Sequence, residues 1–268
     1  MPFHISLLSD LGARDSAVVR SVLHGLAPDA RVIDIDHDLP PHDVRAAAFA
    51  LLQIVQYLPE GALIAAVDPR AGHPEQRYIA ARVGALTMFA PDNGIIAGAV
   101  GLLGGTSESV VLDSAEIHLS GFEPTFAARD ILAPCAAALA NGAELAQLGT
   151  RVDPASLIPA LVILPSEEEN ESTGAVWDVD RFGNCVLNID PATLIAHGVQ
   201  RGESVEVETP GGVRRALFGI SFAELNPAEL GVGIDSTGLM VLWMPSTSAA
   251  HELKLRPSSP VTLRWKGH

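Results

Sequence analysis

The chain has 268 residues, 48% of them hydrophobic, enough to bury one large core or two smaller ones. Seventeen basic against 32 acidic residues leave a formal charge of −15, which argues against nucleic acid and anionic membrane surfaces as partners. Cys135 and Cys185 lack a Cys-x-x-Cys partner and read as small buried hydrophobes, so with no long apolar span and no leader-like start the expectation is a cytoplasmic protein.

In chain order, the first half alternates strand and helix signals. His4 to Leu8 predicts a short strand, and an apolar-periodic helix covers Ala17 to Leu26. Arg31 to Asp36 predicts a second strand, Asp43 opens a helix through Val55, and Ala62 to Asp68 predicts a third strand. Tyr78 to Phe89 reads as two strands turning at Gly84, with a short helix near Ile96 to Val100 and a longer one over Asp130 to Asn141. This alternation implies an α/β domain with a largely parallel central sheet, covered by helices on both faces.

After Ile158 the texture changes. The prolines Pro159 and Pro165 and the acidic run Glu167 to Glu171 predict a junction between two domains, drawn as 1–163 and 172–268. Beyond it, short strands follow at close spacing: Gly174 to Val179, Cys185 to Ile189, Glu203 to Glu208, Arg214 to Ile220, Gly238 to Trp243 and Val261 to Trp265. That spacing predicts a smaller all-β domain with antiparallel strands.

Chemistry concentrates where strands end. Ser9-Asp10-Leu11-Gly12-Ala13-Arg14-Asp15 and Val67-Asp68-Pro69 each close an apolar stretch with a carboxylate, and Pro91-Asp92-Asn93-Gly94 follows one. In open α/β sheets ligands collect at the carboxyl ends of strands, which makes these aspartates site candidates. Asp, Asn and Gly are also the commonest turn formers, so each run alone has a purely conformational reading.

Taken together, the runs carry a family resemblance. Ser9-Asp10-Leu11-Gly12 with Asp15, Pro40-Pro41-His42-Asp43-Val44, Val67-Asp68-Pro69 and Ala90-Pro91-Asp92-Asn93-Gly94 occur in order. Pro124-Thr125-Phe126, Arg129-Asp130, Ala133-Pro134, Asp180-Arg181-Phe182-Gly183-Asn184, Asn188-Ile189 and Ser236-x-Gly238 continue the series. The chain resembles, nearly end to end, the S-adenosylmethionine hydrolases that form adenosine, also called S-adenosylmethionine hydroxide adenosyltransferases. Fluorinase and chlorinase are their relatives.

The resemblance implies a seven-stranded α/β domain, a C-terminal β-barrel domain, and a homotrimer whose sites lie between the N-terminal domain of one subunit and the C-terminal domain of its neighbour. It also implies a substrate, S-adenosylmethionine, cleaved by water at ribose C5′ to adenosine and L-methionine, with no cofactor and no metal. By resemblance Asp10 takes the ribose diol, Asp15 and Asp180 the methionine ammonium, and Ser236 lies near the amino-acid tail. Phe182, Phe222 and Asn184 match positions around the adenine.

The catalytic set departs from the family's Asp, Arg and His. Asp68 is present, but the arginine position aligns with Gln76 because the loop Arg70 to Glu75 is one residue longer. The histidine expected two residues after Thr125 is Ala127. His73, in the lengthened loop, is the candidate replacement imidazole, and Arg77 occupies the arginine position if the register slips by one. Trp243-Met244-Pro245-Ser246 also differs from the family's Arg-Asn-containing run. Two readings therefore stay open, a hydrolase with rearranged groups and a binder of S-adenosylmethionine or adenosine without that turnover. A halogenase is disfavoured, because those relatives carry a tyrosine where this chain has the anionic Asp68.

Overall fold

A computed structural model describes residues 2–119, 125–160 and 164–266. Pro124, part of one sequence block above, and residues 161–163, at the expected junction, lie outside the described residues. The chain divides into two compact units, Met1–Leu161 and Val162–His268.

The first unit is built on seven strands: β1 (His4–Ser9), β2 (Arg31–Asp36), β3 (Gly61–Ala66), β4 (Tyr78–Val83), β5 (Leu86–Pro91), β6 (Glu108–Val111) and β7 (Thr150–Val152). Their order in the sheet is β2-β1-β3-β5-β4-β6-β7. The pairs β1–β2, β1–β3 and β3–β5 are parallel, whereas β4 runs against both β5 and β6, and β7 against β6. Helices α1 (Gly12–Leu26), α2 (Val44–Ile54), α3 (Ala97–Leu102) and α4 (Ala133–Ala140) cover it.

Strand alternation decides which helix packs where. Ile5 and Leu7 of β1 and Ile64 of β3 join Val19 and Leu23 of α1 and Ala136 of α4 in one core. Leu8 and Leu63, one residue out of phase, join Leu51 of α2 and Ala99 of α3 in another. A strand buried on both faces reads as a continuous apolar run, which is how β3 reads in the sequence, and β1 is mainly apolar with Ser6 buried among its leucines. The helix expected from Asp130 instead opens with a π-helical turn over Ala128–Leu132 before α4 begins.

The second unit contains β8 (Ser166–Glu168), β9 (Glu171–Val179), β10 (Cys185–Leu187), β11 (Ser204–Thr209), β12 (Gly212–Phe218), β13 (Leu230–Ile234), β14 (Met240–Trp243) and β15 (Pro260–Arg264). The order β9-β10-β14-β13-β12-β11-β15 returns to β9 and closes a barrel, with β8 attached outside. Val176, Leu187, Val205, Val207, Phe218, Val232, Leu242 and Leu263 fill its core. Short helices α5 (Pro191–Ala196) and α6 (Ala249–Glu252) complete the unit.

Two details differ from the expectations. The acidic run Glu167 to Glu171, read in the sequence as part of the junction, forms the hairpin of β8 and β9; exposed carboxylates on a flanking edge strand tolerate pairing because water solvates them. One barrel pair, β12–β13, is parallel.

Candidate functional site

The parallel strands β1, β3 and β5 lie side by side, so their carboxyl ends share one edge of the sheet. Asp10 follows the end of β1, Asp68 lies just beyond β3, and Asp92 follows β5. The three carboxylates have separate surroundings.

Asp10 Oδ2 accepts the His42 N–H at 2.7 Å, and the side chain is only 10% exposed. His42 reaches it from the entrance of α2, whose N-cap Asp43 accepts from the Arg45 and Ala46 N–H groups at 3.0 Å each. Asp68 Oδ1 accepts the Arg70 N–H at 3.0 Å, and its Oδ2 accepts the Tyr78 hydroxyl at 2.8 Å. Asp10, Asp68, His42, Tyr78, Phe126 and Ala127 line one cavity of about 140 Å³. At about 30 Å³ per water that is room for a few waters or one small ring, not a whole nucleoside.

Asp92 belongs elsewhere. Its buried carboxylate accepts the Ile158 N–H at 2.8 Å and pairs with the Arg77 guanidinium, which also donates to the Ser156 carbonyl at 3.2 Å. Arg77, the candidate for the arginine position if the register slips by one, is tied into the Asp92 contact. Its neighbour Tyr78 takes the other side, because successive residues of an extended chain face opposite ways. His73 is exposed, with Nδ1 3.0 Å from Arg70 Nη2 and accepting the Glu75 N–H at 3.2 Å. It does not line the Asp68 cavity. Asp15, in the first turn of α1, is half-buried and pairs with Arg14 at 3.2 Å.

Behind Asp10 runs a polar chain whose members are too far apart in the sequence to be grouped by pattern. Ser9 Oγ, fully buried, lies 2.8 Å from His37 Nδ1, and His37 Nε2 lies 2.9 Å from Asp34 Oδ1. Arg20 of α1 donates to Asp34 Oδ2 at 2.6 Å. Burial pushes the Asp34 carboxyl up, but the His37 hydrogen bond and the bond and charge of Arg20 outweigh it and hold it below the usual value. With His37 donating to Asp34, its Nδ1 is left to accept from Ser9. The chain straps the β1–α1 turn to the exit of β2.

The barrel unit carries its own pocket, about 450 Å³, lined by Phe182, Asn184, Phe222, Met244, Thr247 and Ser248. Phe182 is 73% exposed and Phe222 54% exposed, large apolar faces left to solvent. Phe222 rests on Trp243, ring centroids 5.3 Å apart. Asp180 organises the pocket's loop: Oδ1 accepts the Phe182 and Asn184 N–H groups at 2.8 and 2.9 Å, and Oδ2 accepts the Asn184 side-chain amide at 2.7 Å. That commitment leaves Asn184 Oδ1 as an acceptor. Ser236, exposed in the turn between β13 and β14, does not line this pocket.

Tyr78, His42 and the Ser9–His37–Asp34 chain are polar elements that sequence reading did not assign to the site. Ser9 and His42 alone carried a signal, each by lying within an ordered block. Among the described residues, no group of His, Cys, Asp and Glu is arranged to hold a metal ion, and no helix is long and apolar enough to cross a membrane.

An α/β unit with carboxylates at its strand ends, followed in the chain by a closed β-barrel with an exposed aromatic pocket, defines a two-part ligand-binding class. Comparison with known proteins narrows it. Residues 5–149 match the SAM hydroxide adenosyltransferase N-terminal domain and residues 174–262 the corresponding C-terminal domain, so the chain belongs to the SAM hydroxide adenosyltransferase family. It is 38% identical over 255 residues to an (R)-S-adenosyl-L-methionine hydrolase of Salinispora tropica, covering 94% of each chain. A second (R)-S-adenosyl-L-methionine hydrolase, from Thermus thermophilus, is 36% identical, covering 97% of this chain and 98% of the relative. A fluorinase of Nocardia brasiliensis is 25% identical, covering 97% and 96%. Among solved structures, an uncharacterized conserved protein from Thermotoga maritima superposes with a TM-score of 0.87 at 26% identity, covering 97% of this chain and all of that one.

Proposed function

We propose that this protein hydrolyses S-adenosylmethionine at ribose C5′, releasing adenosine and L-methionine. The observation that carries the reading is the pair Asp10 and Asp68 lining one cavity at the carboxyl edge of the sheet.

The two carboxylates do different work. Asp10 has Oδ2 engaged by a backbone N–H, and its second oxygen is the natural acceptor for a vicinal diol, in charge-assisted bonds. Asp68 receives the proton of the attacking water. The water oxygen bonds to C5′ as the C5′–S bond breaks, sulfur takes the electron pair and becomes the neutral thioether of methionine, and the proton passes to Asp68 and on to solvent. Holding water in line with a departing sulfur removes much of the entropic barrier, and a placed base adds about 10²–10⁴ in rate. The sulfonium is its own activated leaving group, so the chemistry calls for no cofactor. On the barrel unit, Phe182 and Phe222 offer faces for the adenine and Asn184 Oδ1 an acceptor for its amino group. Assembly as a homotrimer and a cytoplasmic location belong to the same proposal.

A halide nucleophile fits poorly, since an anion about 4 Å from Asp68 costs about 4 kcal/mol at an effective dielectric of 20. Binding without turnover is the second reading, favoured by Gln76, by Ala127 and by the commitment of Arg77 to Asp92.

Incubation with S-adenosylmethionine in ¹⁸O water, with chromatography and mass spectrometry, separates these readings. Labelled adenosine that disappears in Asp68→Ala supports the hydrolase. Tight binding without adenosine leaves only the binder, and 5′-chloro-5′-deoxyadenosine in chloride buffer would establish a halogenase.

A further inference from the structure

By the sequence reading, the stretch from Asp68 to Tyr78 departs from the family pattern, through Gln76 and a longer loop. In the structure that departure closes on itself. Asp68 Oδ1 accepts the Arg70 N–H at 3.0 Å, and Oδ2 accepts the Tyr78 hydroxyl at 2.8 Å.

Strand pairing explains how the phenol arrives. β4 runs antiparallel to β5 with Tyr78 opposite Pro91, so the first residue of β4 sits at the edge where the parallel strands end. Asp68 comes to that edge from β3. Tyr78 is only 7% exposed, and it lines the same cavity as Asp10 and Asp68. Burial first, then the hydrogen bond to Asp68 and its charge, raise the phenol well above its ordinary 10.0, so Tyr78 remains a neutral donor.

From this geometry we infer that Tyr78 is the positioning residue that aims the Asp68 carboxylate at the attacking water, taking over from the arginine and histidine that Gln76 and Ala127 replace. The inference rests on the hydrolase reading above. A carboxylate turns easily about its terminal torsion, which has no sharp staggered wells. Hydrogen bonds to both oxygens remove that freedom and leave the remaining lone pairs in fixed directions. A base that must meet one water in line with one leaving group gains rate from that fixity, and loses it when the carboxylate rotates. A phenol also orients the carboxylate without placing a second positive charge beside the sulfonium. In the hydrolytic step Tyr78 keeps its proton; the water's proton goes to Asp68.

The test compares the wild type, Tyr78→Phe, Asp68→Asn and the double variant by steady-state adenosine release. Adenosine affinity by calorimetry and the melting temperature are read alongside. Phenylalanine keeps every ring carbon, so the packing survives. Tyr78→Phe is expected to lower kcat about tenfold or more, leaving KM, adenosine affinity and melting temperature close to wild type. In the Asp68→Asn background the same change is expected to cost nothing further, because a residue acting through Asp68 has nothing left to orient. Wild-type kcat in Tyr78→Phe, or an equal loss in both backgrounds, overturns the assignment of Tyr78 alone. No adenosine from the wild type overturns the hydrolase reading, and this inference falls with it.

Discussion

His42 adopts φ +64°, a left-handed conformation uncommon outside glycine, and its N–H lies 2.7 Å from Asp10 Oδ2. The backbone is held there to secure one oxygen of a nearly buried carboxylate, and in the proposed function the other meets the sugar. Hydrogen bonds to a charged group contribute about 1.5–3 kcal/mol. Asp10→Ala is therefore expected to raise the adenosine Kd by about tenfold to a hundredfold in calorimetry. His42→Gly keeps the N–H and favours the positive φ, so adenosine affinity should stay near wild type, and a large loss would point to the imidazole. Asp34 offers a pH-dependent check. Its folded carboxyl lies below the ordinary 3.8, so its contribution is present at neutral pH and is lost as pH falls through the folded value. Asp34→Asn should melt earlier than wild type at pH 7, with the gap closing on acidification below the ordinary carboxylate range. Among these residues Asp10 and Asp68 were legible because each caps an apolar strand, a pattern that survives in one dimension. Tyr78 was not, since which of Gln76, Arg77 and Tyr78 meets Asp68 depends on the path of a lengthened loop and on pairing with β5.

Elements differed in legibility for the same kind of reason. β1, β3 and β5 are mainly apolar, buried on both faces and bounded by Asp or Gly, so their parallel arrangement could be read. β6 and β7 are short strands whose place at the sheet's far edge is set by partners distant in sequence. β13 hid behind its glycines, and the reason lies in the barrel pocket. A Cβ on Gly231 would sit 2.4 Å from the Trp243 ring, and one on Gly233 would sit 2.8 Å from it, so the strand is kept bare to seat the indole. Phe222 rests on that indole. Gly231→Val should displace Trp243, disorder the Phe222 face and weaken adenosine binding, with the altered tryptophan fluorescence as the direct reading. The turn bearing Phe182 depends likewise on Gly183, at φ +83° with a would-be Cβ 2.1 Å from Ser248 Oγ. Asp180 looked like a ligand residue in the sequence, and the structure gives its oxygens to that same turn. Pattern identifies a carboxylate; it does not say whether nearby N–H groups have already engaged it.

At the scale of the whole molecule, the two units each have a core of their own and each carries one kind of chemistry, carboxylates in the first and exposed aromatic faces in the second. Under the proposed function the carboxylates meet the ligand's sugar and the aromatic faces meet its flat base, and each contact can be tested by itself. Linkage makes this measurable: a ligand that binds only the folded state at about a hundred times its Kd stabilises it by about 2.7 kcal/mol. For units of this size each kcal/mol moves the melting temperature by roughly 2–4 °C, so adenosine should raise it by roughly 5–10 °C. Asp10→Ala should shrink that shift by removing the sugar contact. Phe222→Ala should shrink it through the base, since a lost aromatic contact is worth about 0.5–1.5 kcal/mol beyond the area it buried. If adenosine raises the melting temperature of Phe222→Ala as much as that of wild type, the aromatic pocket has no part in holding the base. The exposed phenylalanines then need another occupant, and light scattering of Phe222→Ala shows whether that occupant is a second copy of the chain.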